Sequence, residues 1–287
     1  MKRLVFLFLA ACAATPPAQA VDAPRAFRLR TEARQALDRN DPRTCVKLFD
    51  EAKGLAPESS GDAYDRGCCH ARAGETHAAF EALNRAVDLG EHDGQHLQTD
   101  ADLSILHEDP RWQTLVTKIS AAQEDDLGKM NRELNTLYEA DQRDRSEGAD
   151  PKSITLRDTQ RRARVAEILA ANGARVSADW FHAAMIFQHG TTVEDFQTAH
   201  AYAMKAAELV PAHPKARWLA AAAKDREHMT KGIPQLYGTQ FQNTDGHWVL
   251  YTVDPTVTDE ERAKWNVPPI AQAHERAKAM NEGAIRR

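Results

Sequence analysis

Three observations predict a mainly α protein in which helical repeats precede an α-helical domain with a small β-hairpin. Apolar positions recur every 34 residues in the first half, helix start and stop residues punctuate the second, and one stretch after Gly232 changes to alternating character. The boundaries read from these signals are 1–20 for a leader, 26–120 for the repeats and 125–287 for the second domain.

The leader reads as a signal peptide. Lys2 and Arg3 precede an apolar run from Leu4 to about Ala14, followed by Pro16-Pro17 and the small-x-small site Ala18-Gln-Ala20. That run is too short to span a bilayer, and no later stretch is long enough to form a transmembrane helix. Cleavage after Ala20 makes the protein periplasmic or secreted. The alternative, a bacterial lipobox at Leu9-Ala-Ala-Cys12, would leave a lipid anchor on Cys12. Removing residues 1–20 leaves 267 of 287 residues and takes away two positive charges, so the formal net charge moves from -5 to -7. An acidic exported chain is a poor nucleic-acid binder, so no nucleic-acid partner is expected. Cys45, Cys68 and Cys69 are too few for a disulfide framework, and the fold must rest on its apolar core. A bridge from Cys45 to Cys68 or Cys69 is open, because these cysteines fall on helices expected to be neighbours.

In the first half, Cys45, Phe49, Ala52 and Leu55 precede Pro57 on one helix, and Ala79, Leu83, Ala86 and Leu89 stand 34 residues further on. Gly67 occupies a first-helix position where a small residue permits close helix approach, and Gly74 an inter-helix turn. With this period and these positions, residues 26–120 resemble tetratricopeptide repeats: two clear units and a degenerate third, Asp100 to Leu115, that looks like a capping segment. The resemblance implies a protein or peptide partner for the repeats. So short an array needs a cover over its open end, and the second half is expected to supply it.

In the second half, a polar stretch from Ser120 to Asp126 leads into a helix through Lys129 to Asp144, broken by Gly148-Ala-Asp-Pro-Lys152. A helix follows near Asp158 to Ala171, closed by Asn172-Gly173, and Ser177 caps the next, which runs to His189 with Gly190 as its stop. Thr192 opens a helix ended by Pro211, and Pro214 suits the first turn of another that continues to about Met229. Ala199, Ala206 and Leu209 stand before Pro211 as Cys45, Ala52 and Leu55 stand before Pro57, so residues 178–211 read as a further repeat-like helix pair. Tyr237–Gln242 and His247–Val253 flank Asn243-Thr-Asp-Gly246 as a β-hairpin. Thr258-Asp-Glu-Glu261 is a capping box for a short helix, and Pro268-Pro269 precedes a last, charged one.

The run Gly232-Ile-Pro-Gln-Leu-Tyr-Gly-Thr-Gln240 is a shaped loop: glycine supplies positive φ or close approach, proline fixes φ, and two amides and a phenol offer donors and acceptors. With Asp141-Gln142 and Arg145, Gln188-His189, and Asp225-Arg226, residues 125–275 are similar to an uncharacterised bacterial domain family. Its members carry Asp-Gln-x-x-Arg, Gln-His, Asp-Arg and Gly-x-Pro-Gln-x-Tyr-Gly-Thr-Gln in that order. The family pattern places an acid soon after the Gln-His pair, where this chain has Gly190 and Thr191. The resemblance implies a site without naming its chemistry.

His189 is the motif residue whose ordinary pKa lies near neutrality, so it is the candidate general acid or base; Asp225 or Asp141 would orient it or bind a cationic group. The candidate catalytic residues are therefore His189 and Asp225. Arg145 and Arg226 suit a carboxylate or phosphate, and Gln188, Gln235, Tyr237, Thr239 and Gln240 complete the candidate ligand-binding set. The loop from Gly232 to Gln240 is expected to fold back so that these groups meet. The competing reading is a structural brace in which the same groups satisfy helix ends and loop backbone.

No metal or cofactor is expected. Asp179 and His182 are three residues apart, but His189 lies about 10.5 Å further along the helix axis, and Gly90 and Gly94 argue for a loop around His92 and His96. Phosphate-loop, nucleophile-elbow and HExxH motifs are missing from the sequence. Two function classes result: a binding protein that uses its repeats for a partner and its second domain for a ligand, or a hydrolase or transferase working through His189.

Overall fold

The computed structural model describes residues 22–146, 150–210, 213 and 215–283. Residues 1–20, with Cys12 and the Ala20 site, lie outside them, as do Gly148, Pro211 and Pro214. The described residues form thirteen α-helices, one 3₁₀ helix and one two-stranded antiparallel sheet, so the chain is mainly α. Among the described residues no helix is long and apolar enough to cross a membrane.

The first half is built from helical hairpins. α1 (Ala23–Asp38) pairs with α2 (Pro42–Leu55), and α3 (Ser60–Arg72) with α4 (Thr76–Asp88). Asp41 caps α2 by accepting from Thr44 N at 3.2 Å, with Pro42 in the first turn where its missing N–H costs nothing. Ser59 and Asp62 form a reciprocal capping box on α3. Gly74, at φ +77°, makes the turn before α4. The residues 34 apart share burial: Cys45, Phe49 and Ala52 on α2 and Ala79, Leu83 and Ala86 on α4 are all buried. A Cβ on Gly67 would stand 2.7 Å from Leu83 Cγ, which is why glycine sits where α3 meets α4. Cys45 and Cys69 are joined by a disulfide with a Cα–Cα distance of 5.8 Å, tying α2 to α3, and Cys68 is free and buried.

α5 (Gly94–Thr99), the 3₁₀ helix Ala101–Leu106 and α6 (Arg111–Lys129) close this array; Leu97, Leu103, Leu106, Trp112, Leu115 and Ile119 join Phe80 and Leu83 in one core. Residues 121–124, expected as the junction of the two halves, continue α6. The break comes at Met130, and Asn131 caps α7 (Arg132–Ser146) by accepting from Glu133 N and Leu134 N. An amphipathic helix tolerates a polar run on its solvent side, so polarity alone does not mark a helix break there.

α8 (Pro151–Ala170) begins earlier than expected because Asp150 caps it through Ser153 N. α9 (Ser177–Gln188), α10 (Val193–Leu209) and α11 (Ala216–Thr230) follow, α9 and α11 both packing on α10. Ser177 is not the α9 cap: its hydroxyl donates to Ala206 O at 2.8 Å, while the Asp179 carboxylate accepts from Arg175 N and Val176 N. Ala199 and Ala206 are buried as the repeat reading requires, but Leu209 is 48% exposed. β1 (Phe241–Thr244) and β2 (His247–Leu250) pair Phe241 with Leu250 around a two-residue turn, Asp245-Gly246, with both φ positive. The hairpin is thus shorter than expected, and residues 237–240 stay outside the strand. α12 (Asp259–Lys264) is capped by Thr258 and packs on α1, with Arg28 Nη1 3.6 Å from Glu260, so the second half makes its main contact with the first repeat pair there. α13 (Ile270–Asn281) packs against β2.

Candidate functional site

α11 ends in a left-handed Gly232, at φ +69°, which turns the chain back along the helix it has just left. The returning loop is pinned by Asp225. Its fully buried carboxylate accepts from Leu236 N at 2.8 Å, Tyr237 N at 2.9 Å, Thr239 N at 3.0 Å and Thr239 Oγ1 at 2.8 Å. Burial pushes the Asp225 carboxyl above its ordinary pKa, opposed by those four donors.

Gln235, also fully buried, plays the same part from within the loop: Nε2 donates to Gln240 O and Tyr251 O, and Oε1 accepts from Gln240 N. The Tyr237 ring packs against Trp265, with centroids 5.3 Å apart, and with Ala221 and Val267, while its carbonyl accepts from Arg262 Nε. Gly238, at φ +85°, adopts a backbone conformation that other residues take only with strain, and a Cβ there would stand 2.7 Å from Ile270 Cδ1. Asp225, Gln235, Tyr237 and Thr239, all candidates for ligand or chemistry, therefore build the loop.

The loop delivers Gln240. Its Oε1 accepts from Arg226 Nε at 3.1 Å, and its Nε2 donates to Thr239 Oγ1 at 2.9 Å. Arg226 Nη1 donates to Gln188 O at 3.1 Å, at the C-terminal end of α9, and Nη2 has no hydrogen-bond partner among the described residues. His189 is the next residue, and its Nδ1 lies 2.9 Å from Asp141 Oδ2 and 3.1 Å from Oδ1. Asp141 is 0% exposed and also accepts from Gln142 Nε2 at 2.8 Å; Arg145 pairs with it, Nη1 lying 2.9 Å from Oδ1 and donating to the Asp141 carbonyl at 2.8 Å. A carboxylate only accepts, so the neutral imidazole carries its proton on Nδ1 and turns Nε2 outward. The His189 side chain is 14% exposed, and Nε2 is not sealed from solvent.

Of the two carboxylates considered for orienting His189, Asp141 does so and Asp225 does not reach it. The acid missing after the Gln-His pair in sequence is present in space, from α7. Sequence reading passed over the partners on α8: Asp158 accepts from Arg145 Nη2 at 2.7 Å and Arg161 Nη1 at 2.9 Å, and Asp144 accepts from Arg157 and Arg161. Their signal was the charged string Arg157-Asp-x-x-Arg161-Arg162, which helical spacing places toward α7. Arg162 donates to His189 O at 3.3 Å and pairs with Asp195 at 3.2 Å. A Cβ on Gly190 would stand 2.3 Å from Asp195 Cβ, so glycine there lets α10 start against the end of α9.

Ion pairing in this cluster is uneven. Arg145, Arg157, Arg161 and Arg162 pair with Asp141, Asp144, Asp158 and Asp195. Arg226 does not: among the described residues no carboxylate lies within ion-pair distance of it, its partners are a neutral amide and a carbonyl, and the carboxylate of its neighbour Asp225 is held by loop donors. Burial pulls the Arg226 guanidinium below its ordinary pKa, and Arg145 adds to that. Burial likewise lowers His189; Asp141 works against the shift, and Arg145 and Arg226 add to it. The Gln188 side-chain Oε1 is buried with no hydrogen-bond partner.

Two surface clefts lie elsewhere. One, of about 430 Å³, is lined by Leu127, Met130 and Asn135 among others; a second, of about 440 Å³, by Met204, Ala207 and Trp265 among others. The cluster presents two outward groups, His189 Nε2 and Arg226 Nη2. Among the described residues no hydroxyl or thiol is hydrogen bonded to His189. Cys68, Asp100 and Asp102 bring possible metal-ligand atoms within 4.8 Å of one another, but Asp100 already accepts from Tyr64 and Asp102 pairs with Arg72. Compared with known proteins, the chain matches no family model, no curated protein and no solved structure.

Proposed function

We propose that this is a secreted or periplasmic helical-repeat protein that holds a protein or peptide partner with its tetratricopeptide-like N-terminal hairpins and binds a polar ligand at the Arg226–His189 site. One observation carries the ligand site: Arg226, largely buried, is held by neutral groups alone in a cluster whose other arginines all face aspartates. A structural brace would be complete with a carboxylate there. The Cys45–Cys69 disulfide supports export, because such bonds persist in oxidising compartments.

The test has two parts. Expressed with its leader, the chain should appear in the periplasm or medium beginning at Val21; a lipid-modified Cys12 would replace that address with a membrane anchor. A thermal-shift panel of neutral and anionic small molecules should contain ligands that raise the Tm of the wild type and not of Arg226→Gln. If no ligand discriminates the two, the site is a brace.

The Asp141–His189 pair supports a second reading, an enzyme using Nε2 as general base. It requires the nucleophile, a hydroxyl or water, to arrive with the substrate. Turnover of a ligand found in the panel, lost in His189→Gln, would establish it.

A further inference from the structure

We infer that the Arg226–His189 site binds one oxyanion group, a carboxylate or a phosphate, and takes up a proton on His189 as it does so. This rests on reading it as a ligand site and adds the ligand's chemistry and its coupling to pH.

Arg226 is presented in a fixed direction. Nε is held by Gln240 and Nη1 by the carbonyl of Gln188, so the outward Nη2 is aimed by two hydrogen bonds rather than free to swing. His189 is aimed in the same way by Asp141, with its second nitrogen outward. Arg145 stands close enough to disfavour the charge on both groups. Its Nη1 and Nη2 are committed to Asp141 and Asp158, so it contributes positive potential more than a hydrogen bond. An anion against Arg226 Nη2 relieves the repulsion among these cations, and an oxyanion supplies the acceptor that a fixed guanidinium lacks.

The charged groups around His189 are few and come from four helices. α7 brings Asp141 and Arg145, α11 brings Arg226, α8 brings Arg162 to the His189 carbonyl, and α10 brings Asp195 as the partner of Arg162. Without a ligand, burial and the two arginines hold the imidazole neutral, with Nε2 an acceptor facing outward. An acceptor repels an oxyanion; the protonated ring donates to it. Binding an anion therefore raises the proton affinity of His189, and protonation raises anion affinity by the same factor.

The test follows the His189 imidazole by NMR during pH titrations of the whole mature chain, with sulfate and acetate as probes because neither titrates above pH 6. One is tetrahedral and the other planar, so the tighter probe separates phosphate-like from carboxylate-like ligands. The His189 midpoint should rise by at least one pH unit at saturation, matched by at least tenfold tighter binding to the protonated form. Arg226→Gln should weaken binding at least tenfold while circular dichroism stays native. Arg226→Lys, which keeps the charge, should retain measurable binding if the Gln variant does not fold. Saturable, Arg226-dependent binding with an unmoved His189 midpoint overturns the proton coupling and leaves the ligand site standing. No saturable binding of either anion overturns the inference, and ligand discrimination in the neutral panel then decides whether a site exists.

Discussion

Asp225 and Thr239 are joined twice: one carboxylate oxygen accepts from the Thr239 backbone N–H at 3.0 Å and from its hydroxyl at 2.8 Å. The other oxygen holds Leu236 N and Tyr237 N, so one buried side chain fixes the course of the loop. Asp225→Asn should lower unfolding free energy by about 2–4 kcal/mol, since the amide NH₂ would face buried donors. Urea denaturation checks this. A loss of ligand binding with unchanged stability would mean that Asp225 acts on ligand rather than loop.

Gly67→Ala should destabilise by roughly 1–3 kcal/mol, because the added methyl would stand 2.7 Å from Leu83 Cγ. Adding Leu83→Ala opens the space again, so the double variant should be less destabilised than the two single losses combined. Additive effects in a double-mutant cycle would show that the two residues do not meet.

Stability should fall on acidification. His182 is buried, stacks on Tyr138 with ring centroids 4.2 Å apart, and has Nδ1 without a partner; burial pushes it down to about 4. The unfolded chain, with an ordinary value near 6.5, binds the proton first, so stability is present above pH 6.5 and drains as pH falls toward 4. His182 alone should contribute a loss on the order of 2 kcal/mol between pH 7 and pH 5. His213, pushed down to about 4 by burial and by Lys215, adds in the same direction. His182→Phe keeps a ring for the stack and should flatten the profile; an unchanged slope would assign the acid sensitivity elsewhere.

The thiols should react unequally. Intact-mass measurement should find one disulfide, and Cys68 should resist alkylation under native conditions, since burial raises its pKa and keeps it protonated. Cys45→Ser with Cys69→Ser should cost about 3 kcal/mol, the usual scale for a bridge closing a loop of this length. Rapid labelling of Cys68 in the folded protein would show that α3 opens.

Much of the fold was legible because it rests on local rules. The 34-residue recurrence located the buried positions of α2 and α4, Gly67 announced a close approach, and Asp245-Gly246 specified the hairpin turn. Misreadings came where two local readings compete. The polar run after Ser120 serves equally as a linker or as the outer face of α6, and Ser177 serves equally as a cap or as a donor to a neighbouring helix. Only packing decides such cases.

The sequence by itself determined the helical architecture and the turns, because periodicity, capping and turn chemistry act over a few residues. Tertiary structure alone decided the parts of the polar residues. Asp225 and Asp141 are both acids in motifs, yet one is spent on loop backbone and the other on His189, forty-eight residues away in the chain. The lack of an ion pair at Arg226 is a property of α7, α8, α9, α10 and α11 together. It arises because α8 and α10 bring acids to the other arginines and the returning loop brings Arg226 only a neutral amide, an electrostatic outcome that depends on distance in space and not on separation along the chain.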